Sequence, residues 1–118
     1  MEIGSRLEKG YNKLKKVDGK AGEEVVNKLG DLGKYIVEFA FGDIYSRENL
    51  NLREREIATI AMLTVLGKTE QLKVHIHGGI NVGLSEKEIE EIIIHTVPYA
   101  GFPCAINAMN TLNELLTK

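Results

Sequence analysis

Tryptophan is absent from these 118 residues, and there are two prolines and a single cysteine. One cysteine excludes an intrachain disulfide, so no covalent staple holds the fold; cysteine usage fits a reducing, cytoplasmic setting. Few prolines and few alternating β-branched runs argue against strands and for helices. Excess positive charge is missing too. The formal net charge is -2, which gives no basic field to attract nucleic acid. No apolar run approaches the roughly 20 residues that a membrane span needs. The opening Met-Glu-Ile-Gly-Ser-Arg has no apolar core of the kind a secretory leader carries.

What is present is an ordinary soluble balance of 43% hydrophobic and 27% charged residues. That supports one domain, 1–118, around one core. No repeat or low-complexity segment interrupts it. The pattern predicts an all-α domain. A first helix spans about 3–17 and stops at Asp18-Gly19. A second spans 23–41, with Val25, Val26, Leu29, Leu32, Ile36, Val37 and Phe39 as its apolar face, and Gly42-Asp43 breaks the chain. A third, 52–66, ends at Gly67. Thr69 caps a fourth, 70–82, with Leu72, Ile76, Gly79 and Ile80 as its stripe. Ser85-Glu-Lys-Glu88 is a capping box for a fifth, 86–97, burying Ile89, Ile92, Ile93 and Val97. Pro103 opens a last helix, 103–117.

Glu56 and His75 fall on consecutive helices. If those helices pack, the carboxylate would orient the imidazole and favour its protonated form, giving a proton carrier near neutral pH. The alternative from spacing alone is a surface glutamate and a half-buried structural histidine. Gly79, one turn after His75, is expected to leave space beside the ring. His77 lies about 200° round the helix from His75 and cannot share a metal with it. Three histidines without a His-x-x-x-His pair, and one cysteine, leave no protein-only zinc site. Glu91 and His95, one turn apart, read as a local surface or interface contact. Cys104, after Pro103 in a helix first turn, is either a reactive thiol or a small apolar filler. The helix 52–66 is apolar on nearly every side, and 86–97 carries three consecutive isoleucines. Both have more apolar surface than one small domain needs, which predicts a homo-oligomer.

Taken together, Leu52 and Arg55, the His75–Gly83 spacing, Ser85-x-x-Glu88-Ile89, Glu91 and Tyr99-x-Gly101-x-Pro103 resemble the carboxymuconolactone decarboxylase family, which includes the alkylhydroperoxidase D-like proteins. The resemblance covers about residues 35–116. It implies the alkylhydroperoxidase D-like helical fold, assembled as trimers or hexamers. It also implies decarboxylation of a small carboxylated lactone without a cofactor. For that reaction His75 is the candidate acid and Glu56 its orienter; the decarboxylase branch usually has a small polar residue where this chain has Glu56 and a glutamate where it has Gln71, and Glu56 falls where the peroxidase branch has its glutamate. Arg55 or Lys68 binds a substrate carboxylate, and Gln71 and Tyr99 are further substrate contacts; solvated helix charge is the alternative for Arg55 and Lys68. The family's peroxidase branch places cysteines where this chain has Lys68 and Gln71, so a redox role would rest on Cys104 alone. A non-catalytic binding module of the same fold is the third possibility.

Overall fold

The computed structural model describes residues 5–117, all helix, turn and loop. It forms two compact units, 1–52 and 53–118.

The first unit opens with α1, Arg6–Asn27, capped by the Ser5 hydroxyl, which accepts from the Glu8 backbone N–H. The expected stop at Gly19 is a break within this helix, at φ 62° and ψ -151°, after which the helix resumes. The predicted helix 23–41 is divided instead. Gly30 takes φ 59°, which side-chain-bearing residues avoid. The chain therefore turns over Lys28–Gly30 before the short α2, Asp31–Tyr35. It then continues as a π-helix, Ile36–Ile44. Gly42 and Asp43 thus lie inside a helix, where a break was expected.

Close approach explains why glycine stands there. A Cβ on Gly42 would come within 2.4 Å of the Arg6 carbonyl oxygen, and one on Gly10 within 2.0 Å of the Val37 carbonyl oxygen. Two glycines therefore let α1 and the π-helix touch backbone to backbone. Arg6 closes the contact by donating from Nε and Nη2 to Asp43, at 2.8–3.1 Å. Asp43's carboxyl is held below its usual range, first by that hydrogen bond and then by the arginine charge. Of the apolar face expected here, Val26 and Val37 are buried and Ile36 is half-buried, while Val25, Leu29, Leu32 and Phe39 are exposed.

The second unit contains α3, Leu52–Leu66, from its second residue onward, then α4, Thr69–Asn81, α5, Glu86–His95, α6, Val97–Ala100, and α7, Phe102–Leu116. Its core joins Ile60 of α3, Leu72 and Ile76 of α4, Leu84 of the α4–α5 turn, Ile89, Ile92 and Ile93 of α5, and Ala105, Ala108 and Leu112 of α7. Both turns bounding α4 close as Schellman motifs. Lys68 N–H reaches back to the Leu63 carbonyl and Gly67 N–H to Thr64; Leu84 N–H reaches Gly79 and Gly83 N–H reaches Ile80. Lys68, rather than Thr69, occupies the N-cap of α4, and no side chain caps it. The capping box at Ser85 and Glu88 forms as expected. Helix α5 stops at His95, two residues short of the expectation, and Pro98 sits in the first turn of α6.

Two outcomes follow from these contacts. Gly10→Ala should lower the unfolding free energy by about 1–3 kcal/mol, the usual range for an overpacked contact, measured by urea denaturation. Glu88's carboxyl is held below the usual range, chiefly by the Ser85 backbone N–H, with Arg53 adding. Its contribution should be complete above the ordinary glutamate pKa of about 4.3 and lost as pH falls through the lower folded value. The stability gap between the parent protein and Glu88→Ala should therefore shrink on acidification below that range.

Candidate functional site

Helix α3 buries one side chain per turn at positions 56, 60 and 64: Glu56, Ile60 and Thr64. This i, i+4, i+8 line faces the core, and its first member is a glutamate with 0% exposure. A buried carboxylate is costly unless paired and hydrogen-bonded. Its partner comes from α4: His75 Nδ1 lies 2.8 Å from Glu56 Oε1. The imidazole retains 21% exposure. The pair therefore has a dry end and a wet end, with the carboxylate inside and the ring reaching the surface. A carboxylate on Nδ1 fixes the ring's orientation and leaves proton exchange to Nε2.

The two helices therefore pack so as to bring the expected pair together. The space predicted beside the ring is not where Gly79 is. A Cβ on Gly79 would lie 2.9 Å from Leu84 Cδ1 and 3.1 Å from Ile60 Cδ1. Gly79 makes room for core side chains, and the α4–α5 turn folds Leu84 into that place.

The remaining candidates are dispersed. Arg55 is half-buried and precedes Glu56 on α3. Gln71 is exposed on α4, one turn before His75 and on the same side of the helix. Lys68 is exposed in the α3–α4 turn. Tyr99 is 81% exposed on α6, its ring 5.9 Å from that of His95 rather than beside His75. Cys104 is half-buried, its thiol directed at the carbonyls of Gly101 and Ala100 at 3.6 and 3.7 Å. Among the described residues no cluster of three His, Cys, Asp or Glu side chains could hold a metal ion, and no helix is long and apolar enough to cross a membrane.

Sequence reasoning missed a groove between α3 and α5. One hollow of about 350 Å³ is lined by Ile57, Ala61, Glu91, Ile92, Ile94 and His95. A neighbour of about 250 Å³ shares Ile57, Glu91 and Ile92 and extends past Arg53 and Lys87. Neither is lined by Glu56 or His75. The one-turn spacing of Glu91 and His95 was a visible signal, but the hollow depends on Ile57 and Ala61 from another helix.

The buried pair makes a stability test possible. His75→Ala removes a hydrogen bond to the buried Glu56 carboxylate, whereas Glu56→Gln keeps a hydrogen-bonding group there. His75→Ala should cost about 1–3 kcal/mol, the range for losing a hydrogen bond to a charged group, and Glu56→Gln less, by chemical denaturation at neutral pH.

A family model, that of the carboxymuconolactone decarboxylase family, matches residues 30–114. A 4-carboxymuconolactone decarboxylase of Acinetobacter baylyi is 35% identical over 85 residues, covering 72% of this chain and 63% of that protein. A nitrosuccinic acid decarboxylase of Metarhizium robertsii is 32% identical over 87 residues, covering 70% and 61%. An uncharacterised 15.0 kDa protein of Paracoccus denitrificans is 26% identical over 113 residues, covering 92% and 81%. The chain thus spans less than two thirds of the length of the two named decarboxylases. With the family model matched over most of its length and a helical fold throughout the described residues, the chain belongs to the carboxymuconolactone decarboxylase family.

Proposed function

We propose that the protein is a carboxy-lyase that removes CO₂ from a small carboxylic acid, with His75 as the proton donor and Glu56 as its positioning residue. The observation that carries this reading is the 2.8 Å contact between the wholly buried Glu56 carboxylate and the partly exposed His75 ring. Membership of a family with two relatives named as decarboxylases supports the reaction class.

The chemistry needs two things. Breaking the bond from carbon to carboxylate releases CO₂ and leaves the electron pair on the substrate, where an electron-accepting group must spread it. An acid must then deliver a proton to carbon. The substrates named for the two relatives each carry such an acceptor, a lactone carbonyl in one and a nitro group in the other. His75, protonated and held through Nδ1, gives the proton from Nε2 and regains one from water. Glu56 holds the ring through Nδ1 so that Nε2 faces outward. Arg55 is the proposed anchor for a substrate carboxylate, a role suited to its forked guanidinium, and Gln71 flanks the same side of α4.

CO₂ release from 4-carboxymuconolactone and from nitrosuccinic acid, followed against pH, tests the assignment. His75→Ala should lower kcat by about 10²–10⁴, the range of general acid catalysis. In Glu56→Gln turnover should also fall, because the ring loses the carboxylate that fixes its orientation. Undiminished turnover in His75→Ala, or no turnover by the parent protein on either acid, would refute the proposal.

A further inference from the structure

The hollow of about 350 Å³ between α3 and α5 has hydrocarbon walls and one polar end. Ile57 and Ala61 come from α3, and Ile92 and Ile94 from α5; of the lining residues only Glu91 and His95 are polar. Those two stand four residues apart on α5, on the same side of the helix. Both accept hydrogen bonds, the carboxylate through two oxygens and a neutral imidazole through one ring nitrogen. Ile94 keeps 50% of its surface exposed, which is hydrocarbon that a ligand would cover. The volume falls in the range of small-molecule sites.

The charges around the groove have one sign left over. Arg53 and Lys87 line only the adjoining hollow of about 250 Å³. Arg53 pairs with Glu88, and Lys87 lies 3.8 Å from Glu90. Glu91 lines both hollows and has no ion-pair partner among the described residues. No lysine or arginine lines the larger hollow.

We propose that this groove binds a small organic cation, a primary amine carrying a compact hydrocarbon or aromatic group. The apolar body lies between Ile57 and Ala61 on one side and Ile92 and Ile94 on the other. The ammonium sits at the acceptor end and donates to the Glu91 carboxylate and the His95 ring. A longer body extends past Ile57 and Ile92 toward Leu84 in the adjoining hollow. An organic acid is rejected, because Glu91 repels it and no cation lines the larger hollow to receive it. The charge preference is thus opposite to that of the acids proposed as substrates. The site uses neither Glu56 nor His75 and stands independently of that reaction.

Methyl carbon–proton NMR on the full chain tests this at about pH 8, where an imidazole is ordinarily neutral. The probes are phenethylamine, its neutral counterpart phenethyl alcohol and the anion hydrocinnamate. The amine should shift the methyl signals of Ile57, Ala61, Ile92 and Ile94 saturably. The alcohol should bind about three- to fivefold more weakly, the upper range for an exposed ion pair, and the anion more weakly still. Glu91→Gln should bring the amine to the level of the alcohol, and Glu91→Lys should make hydrocinnamate the better ligand at the same methyl groups. Ala61→Leu, which fills the hollow, should remove the shifts at Ile92 and Ile94. No saturable shift at the four methyl-bearing residues, equal affinity for amine and alcohol, or an unchanged amine affinity in Glu91→Gln would each overturn the site. The Glu91 variants, at an exposed position, decide the matter if Ala61→Leu does not fold.

Discussion

The candidate chemistry depends on one buried carboxylate. Glu56 takes a place on α3 where Ile60 and Thr64, on the same line, face the core. A charge there carries a desolvation cost that neighbouring hydrocarbon does not offset. His75 supplies the compensating contact at 2.8 Å. The packing of α3 against α4 is therefore tied to a polar contact as well as to the fit of Ile60 against Leu72 and Ile76. The same contact leaves the outer part of the ring toward solvent. Structural necessity and reactive potential meet in one hydrogen bond.

The second unit was the more legible in the sequence, and the reason is local chemistry. Ser85 and Glu88 announce a helix start because each satisfies the other's backbone, and Gly67 and Gly83 announce helix ends because the backbone turns where they stand. These signals need only a few adjacent residues. The pairing of Glu56 with His75 was an expectation conditional on α3 packing against α4, and the 2.8 Å contact supplies that condition. The first unit was harder to read. Gly30 and Gly42 look alike in the sequence, yet Gly30 breaks a helix through its φ while Gly42 sits inside one because the Arg6 carbonyl lies against it. Only the distant partner distinguishes the two cases.

The same limit applies around the site. Gly79 was legible as a small residue on the His75 side of the stripe, but the group occupying its space is Leu84, which arrives only because the turn at Gly83 folds back. The groove between α3 and α5 was unreadable for a related reason: its walls come from helices that the chain separates by all of α4. Glu91 and His95 alone give a one-turn spacing that many solvated helix surfaces share.

The two Schellman turns that bracket α4 have a consequence for length variation. Each end of the helix is tied by a backbone hydrogen bond from the residue beyond its glycine, Lys68 to Leu63 and Leu84 to Gly79. The imidazole's azimuth is thereby pinned from both sides. One extra or missing residue between Glu56 and His75, absorbed as helix, would swing the ring through about 100° and carry it off the carboxylate. Insertions and deletions in this stretch are thus excluded by helical geometry, whereas the connection between the π-helix and α3, which sets neither partner's angle, can vary in length without moving the pair.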